Sequence, residues 1–337
     1  MPNWYQNPSL FLSAIFVAVG FYVLIKGADF LVRGAVVVAA RFQLSPAVIG
    51  ATVVAFGTSL PELVVSVGAN LKAVAEGVGS DPNGPAAIAI GNVVGSNTFN
   101  IGAILGISAL IKPLAFPVDT KKRDYPLMLL ALGLLMIFSV WGEPMMVSRW
   151  EASVLFLGLI GFTVYAIMSG KVDDEDLPSD DEVSSLAISG GFILVGILML
   201  MVGGDVSLTG AIALSEWFGL SDRVIGLTVM SIGTSLPELA TSIQAVRRGQ
   251  SDIAVANVVG SNIFNVFCIV GISGLIIPLP VHEAMPGWDY LWMIAFSLLL
   301  FIPILTGKSM GRRFGACLVL GLTIYTYLLL AYPQLGS

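Results

Sequence analysis

Long apolar runs, broken by short polar or Pro/Gly stretches, dominate the chain. Ten of them, at 10–32, 46–71, 86–111, 125–142, 150–169, 186–209, 222–246, 252–277, 289–306 and 313–333, approach the ~20 residues that carry an α-helix across a bilayer. Alternation with period two is absent, which argues against a membrane β-barrel. In lipid every backbone polar group needs an internal partner, so these runs are expected to be helical. The predicted fold is an all-α integral membrane protein with ten transmembrane helices. Met1–Leu10 has no Lys or Arg, so the basic n-region of a secretory signal is missing. The first run is therefore expected to be a retained span.

Composition agrees. Of 337 residues, 56% are hydrophobic and 11% charged, against about 25% charged in a typical soluble domain. One set of alternate loops holds twelve basic residues: Arg33, Arg41, Lys112, Lys121, Lys122, Arg123, Lys171, Arg247, Arg248, Lys308, Arg312 and Arg313. The other set holds three, Lys72, Arg149 and Arg223, and Lys26 lies inside the first run. The positive-inside rule then places both termini outside the cytoplasm of a cell (inner) membrane. No basic cluster is interleaved with aromatics, so nucleic acid is not an expected partner. Cys268 and Cys317 lie in apolar runs and read as small hydrophobes, with neither a disulfide framework nor a zinc site supported. His282 reads as a solvated loop residue.

Seven of the 22 acids fall between Asp173 and Glu182. This stretch reads as a solvated linker. As a calcium sensor it lacks the glycine and ligand spacing of an EF-hand loop. It divides the chain into a first half (1–170), a linker (171–185) and a second half (186–337).

The halves repeat. VIGATVVAFGTSLPEL at 48–63 and VIGLTVMSIGTSLPEL at 224–239 agree at twelve of sixteen positions, offset by 176. The same offset aligns Gly27-Ala-Asp29 with Gly203-Gly-Asp205. A second block repeats at an offset of 165, Asn92-Val-Val-Gly-Ser-Asn97 against Asn257-Val-Val-Gly-Ser-Asn262. Each half has five runs, an odd number, so the second copy enters the membrane from the opposite side. Two inverted-topology five-helix repeats suit a transporter that opens alternately to each face. The conserved positions within the two copies are polar ones in mid-membrane, which a mere scaffold would not need.

Pro61 and Pro237 lack an N–H, so the carbonyls of Gly57 and Gly233 lose a helical donor. Thr58, Ser59, Thr234 and Ser235 add hydroxyls, and Glu62 and Glu238 add carboxylates. All are hard oxygen donors, suited to Ca²⁺ and Na⁺ rather than zinc or copper. A lone carboxylate at mid-membrane costs several kcal/mol, and no Lys, Arg or His is near either glutamate in sequence. Calcium takes about 6–8 oxygens, which two facing motifs could supply. Ser96 and Asn100 share a helix face, as do Ser261 and Asn265, and these four are expected at the ion site. Asn97 and Asn262 suit either helix packing or ligation. Asp29 is expected to pair along its helix with Lys26 and Arg33, and Asp205 is placed near the end of its span.

The paired Gly-Thr-Ser-Leu-Pro-Glu and Gly-Ser-Asn-x-x-Asn blocks resemble the two alpha repeats, here about 46–111 and 222–277, of the sodium/calcium exchangers in the calcium/cation antiporter superfamily. The short central loop resembles the prokaryotic members. The resemblance implies a diamond of ion sites built by the second and third helices of each half. It implies Glu62 and Glu238 as the central calcium ligands, Thr58 and Thr234 as carbonyl ligands and Ser59 and Ser235 as hydroxyl ligands. It further implies Ser96 and Ser261 at flanking sodium sites, and backbone carbonyls of Ala55 and Ser231 on sodium. Ser231 replaces an Ala of archaeal relatives. Asn265, the counterpart of Asn100, replaces an Asp found in several relatives including the potassium-dependent branch, which argues against potassium co-transport.

The expected function is secondary antiport of Na⁺ for Ca²⁺ by alternating access at a shared site, with the glycine-rich, weakly packed first and sixth spans as the sliding elements. No cofactor is expected beyond the transported ions, and no obligatory protein partner beyond the lipid bilayer. Antiport of Ca²⁺ or another divalent cation against H⁺ would use the same glutamates. A cation channel is the rival from another class. A membrane enzyme with Ser59 or Ser235 as nucleophile lacks an intramembrane base.

Overall fold

Caps and breakers set the helix ends. Ser45 accepts from Val48 N with Pro46 at the first helical position, and Ser148 forms a capping box with Glu151. Gly77 ends its helix in the left-handed region (φ 69°), which costs glycine no Cβ clash. The computed structural model describes residues 10–79, 81, 84–142, 144–170, 186–218, 231–283 and 285–331. The acidic linker and the first part of the second repeated block, including Arg223, lie outside them.

The first half contains α1 (Leu10–Arg41), α2 (Pro46–Thr58), α3 (Leu60–Glu76), α4 (Pro85–Ile111), α5 (Thr120–Val140) and α6 (Arg149–Ser169). The second contains α7 (Leu186–Trp217), α8 (Ser231–Thr234), α9 (Leu236–Arg247), α10 (Ser251–Ile276), α11 (Trp288–Thr306) and α12 (Arg312–Ala331). Among the described residues the architecture is helical apart from a two-residue antiparallel pair, β1 (Met146–Val147) with β2 (Leu279–Pro280), and an isolated antiparallel bridge between Leu114 and Met310. Among the described residues seven helices are long and apolar enough to cross a membrane, or eight if the α2–α3 pair, bent by 43°, is one span.

Several boundaries differ from the apolar runs. The first run, expected to end at 32, continues to Arg41, and the sixth, expected to end at 209, continues to Trp217. The second run extends from 71 to Glu76, beyond Lys72. The fourth begins at Thr120 rather than 125. At Arg33, Lys72 and Asp124 the helix continues through the charged residue that bounds the apolar run. Arg123 consequently sits inside α5, not in a loop, and is buried with Asp124 (Nε to Oδ1 2.7 Å). It also donates to the Ala166 carbonyl and Ser169 Oγ of α6.

Helix α10 lies in the centre, with every residue from Ile253 to Val270 buried. Against it pack α2, α4, α5, α6 and α9. Helices α1 and α7 stand to one side, and they are not weakly packed against each other. Gly20, Gly27 and Gly34 on one and Gly196, Gly203 and Gly210 on the other recur every seven residues. A Cβ on Gly196 would lie 2.6 Å from Leu31 N, and one on Gly203 2.8 Å from Leu24 N. Such small-residue seams let backbones touch. Asp205 lies inside α7, exposed, and not at a span end.

Candidate functional site

The two proline breaks bring the glutamates together. Ser59 (φ −83°, ψ 6°) interrupts the helix between α2 and α3, and Ser235 (φ −89°, ψ 8°) interrupts it between α8 and α9. Each break is followed by Leu-Pro-Glu, which puts Glu62 and Glu238 in the first turns of α3 and α9. Carboxylates are favoured at such N-termini by the helix dipole. Both glutamates are 1% exposed.

The contacts between the copies are reciprocal. Ser59 Oγ donates to Glu238 Oε1 (2.9 Å) and Ser235 Oγ to Glu62 Oε1 (3.1 Å). Ser235 Oγ also lies 3.2 Å from Ser96 Oγ. Among the described residues, Glu62 Oε2, Glu238 Oε2, Asn100 Oδ1 and Asn265 Oδ1 are buried without a hydrogen-bond partner. Among the described residues no ion pair reaches either glutamate. Two carboxylates with several neutral oxygens are the kind of ligand set that hard cations take.

Of the residues singled out in the sequence, Thr58, Ser59, Glu62, Ser96, Asn100, Thr234, Ser235, Glu238, Ser261 and Asn265 are all buried. The Ala55 carbonyl is already an acceptor, for Ser59 N (3.0 Å) and Thr58 Oγ1 (3.2 Å). Ser231 opens α8, but its side chain is outside the described set. Asp29 pairs with Arg33 (3.0 Å) as expected. Lys26 does not join it, lying instead 5.8 Å from the Tyr22 ring centroid. Asp29 instead accepts from two residues at the end of α9, Gln244 Nε2 (2.8 Å) and the Arg248 guanidinium.

A supporting layer was not singled out in the sequence. Asn92 Nδ2 donates to the Glu62 carbonyl (3.3 Å) and to Ser66 Oγ (3.1 Å). Its counterpart Asn257 donates to Ser242 Oγ (3.1 Å) and accepts from Thr58 Oγ1 (3.3 Å). The signal was present: Ser66 and Ser242 are also related by the offset of 176, and Asn92 and Asn257 by 165. Just past the Ser/Asn faces, α4 and α10 both widen into π-helical turns, Asn100–Leu105 and Asn265–Val270. π-turns inside α-helices are frequent at functional sites.

The family profile described as sodium/calcium exchanger protein matches residues 12–168 and 188–331. The chain belongs to the sodium/calcium exchanger family. It is 32% identical over 343 residues to the sodium/calcium exchanger MaX1 of Methanosarcina acetivorans, covering 91% of this exchanger and 95% of that one. It is 32% identical over 330 residues to the inner membrane protein YrbG of Escherichia coli, covering 95% and 97%. Among solved structures, the sodium-calcium exchanger NCX_Mj superposes with a TM-score of 0.78 at 27% identity, covering 96% of this chain and 99% of that one. The exchanger is thus a multi-pass membrane protein of a transporter family, with the fold of that structure.

Proposed function

We propose that this exchanger is a secondary antiporter that carries Ca²⁺ in one direction and Na⁺ in the other through the Glu62/Glu238 cluster. The reciprocal serine–glutamate bonds carry the reading, because they make one site of two motifs distant in sequence. Calcium would be held by both carboxylates, with Thr58, Thr234, Ser59 and Ser235 completing its shell. Sodium ions would use the same acids with Ser96, Ser261, Asn100, Asn265 and the Ala55 and Ser231 carbonyls. The Thr58 hydroxyl must then turn away from Ala55. Left empty, the site buries two uncompensated carboxylates, which is costly in low dielectric. Crossing between faces would therefore need one load or the other, and coupling would follow from the different affinities of the two conformations.

The reading includes ten spans, five in each half, with the halves inverted. The repeats at 176 and 165 and the reciprocal contacts support it. The bias of twelve basic residues against three supports termini outside the cytoplasm, and the name of the YrbG relative supports an inner membrane. The α1–α7 pair would slide as one body past the site. In this conformation Asp29 ties α1 to the end of the helix that bears Glu238. The residues related by 176 on the other half, Asp205 and Lys72, are apart among the described contacts, and Lys72 reaches Glu76 at 3.8 Å. The opposite-facing conformation would bring Asp205 and Lys72 together as the Asp29 contact opens. With an amide in place of an acid at Asn265, transport would not need K⁺.

Protons could also neutralise the glutamates, so Ca²⁺/H⁺ antiport is the second reading. Purified exchanger in liposomes separates them. An outward Na⁺ gradient at equal pH should drive ⁴⁵Ca²⁺ uptake, and a pH gradient without Na⁺ should not. The reverse result would select proton exchange, and uptake with no counter-ion would select a channel.

A further inference from the structure

A primary amide carries a donor nitrogen and an acceptor oxygen on one carbon, and a half-turn exchanges them. A cation is held by the oxygen and repelled by the NH₂ group. An asparagine at a cation site therefore needs something to fix which end it presents. In the exchanger this need arises at Asn100 and Asn265, one helical turn from Ser96 and Ser261, whose Oδ1 atoms are buried with no hydrogen-bond partner among the described residues.

Their Nδ2 groups are both taken, crosswise. Asn265 Nδ2 donates to Asn97 Oδ1 (2.8 Å), and Asn100 Nδ2 donates to Asn262 Oδ1 (2.9 Å). Asn262 is itself oriented by donating to the Asn97 carbonyl (3.4 Å) and toward Met128 Sδ (3.7 Å). All four amides are at most 1% exposed, so water cannot replace a lost partner. A buried amide stripped of its acceptor pays a desolvation penalty and is free to turn its donor inward.

We propose that Asn97 and Asn262 are positioning residues that lock the Asn100 and Asn265 amides with their oxygens toward the ion site. The Asn100 and Asn265 amides would thereby present neutral oxygen acceptors, suited to a monovalent cation that gains oxygen ligands without adding a further buried acid. Neither Asn97 nor Asn262 touches the ion; each acts through the amide of the opposite half. This rests on the reading of the Glu62/Glu238 cluster as a shared cation site.

The test is a double-mutant cycle on the Na⁺ half-saturation of exchange in liposomes. Leucine matches asparagine in shape and has no acceptor. Asn97→Leu and Asn265→Leu are each expected to raise the Na⁺ half-saturation roughly fivefold, the scale of one lost hydrogen bond. The double variant should be no worse than the worse single one, because Asn97 has nothing to orient once the Asn265 amide is gone. Additive effects would overturn the proposal and leave Asn97 as packing. An Asn265→Leu variant with unchanged half-saturation, beside an inactive Glu62→Gln, would overturn the proposal while leaving the shared site standing. Exchange that survives Glu62→Gln would sink the shared site and the proposal with it. The cycle of Asn262→Leu with Asn100→Leu is the mirror-image test and decides the matter if an Asn97 variant fails to fold.

Discussion

Ser59 donates its hydroxyl to Glu238 at 2.9 Å across 179 residues of chain. The mirror bond from Ser235 to Glu62, at 3.1 Å, makes each half of the exchanger supply the donor that holds the other half's acid. Sequence offers no reason for either pairing unless the two repeated motifs face each other.

Removing one donor should weaken the site without destroying it. Ser59→Ala is expected to raise the Ca²⁺ half-saturation by about tenfold, the ~1.5 kcal/mol of a hydrogen bond to a charged acceptor. Ser235→Ala should do the same through Glu62. The measurement is the concentration dependence of Na⁺-driven ⁴⁵Ca²⁺ uptake. An unchanged half-saturation in both variants would mean that the serines do not hold the acids in the loaded protein.

The glycine seam makes a prediction about stability. A methyl on Gly196 would meet Leu31 N at 2.6 Å and the Gly27 carbonyl at 2.9 Å, whereas one on Gly191 of the same helix meets nothing within 4 Å. Gly196→Ala should therefore cost about 1–3 kcal/mol through overpacking. Gly191→Ala should be neutral or slightly stabilising, since alanine is the better helix former. Thermal unfolding in detergent separates the two, and equal midpoints would contradict the close α1–α7 contact.

The Asp29 contact should govern rate more than affinity. Asp29→Asn and Arg248→Gln are each expected to change the maximal exchange rate while leaving the Ca²⁺ half-saturation within about twofold. Their coupling should be on the order of 1 kcal/mol, as for a partly exposed ion pair. Lys72→Glu should slow exchange by placing like charge opposite Asp205 in the opposite-facing conformation. Initial rates at saturating Ca²⁺ test all three. Additive effects of the Asp29 and Arg248 variants, or a Lys72→Glu variant at full rate, would contradict this reading.

Much of the site could be read from the sequence because its chemistry is local. A proline two residues after a serine frees a carbonyl wherever it falls in a helix, and the constant offset pairs Glu62 with Glu238 before any contact is known. The ends of α1 and α7 were less legible. The first apolar run closes at Arg33, yet Arg33 and Arg41 are carried on the same helix because its backbone bonds continue. The choice of α7 as the partner of α1 depends on two glycine seams meeting, a long-range event. The direction of the Asn100 and Asn265 amides was hidden for the same reason: it is fixed by Asn262 and Asn97 from opposite halves, and spacing along one helix says nothing of it. Lys26 is three residues from Asp29 and still misses it, because Gln244 and Arg248 approach from another helix.

Exchange through the shared site depends most directly on the Glu62 carboxylate. In liposomes loaded with Na⁺ and diluted into Na⁺-free medium, the exchanger should accumulate ⁴⁵Ca²⁺, and Glu62→Gln, which keeps the shape and removes the charge, should abolish that uptake in protein that still elutes as a folded species. Uptake by Glu62→Gln at the rate of the unaltered exchanger would contradict the claim that its carboxylate binds the transported ion.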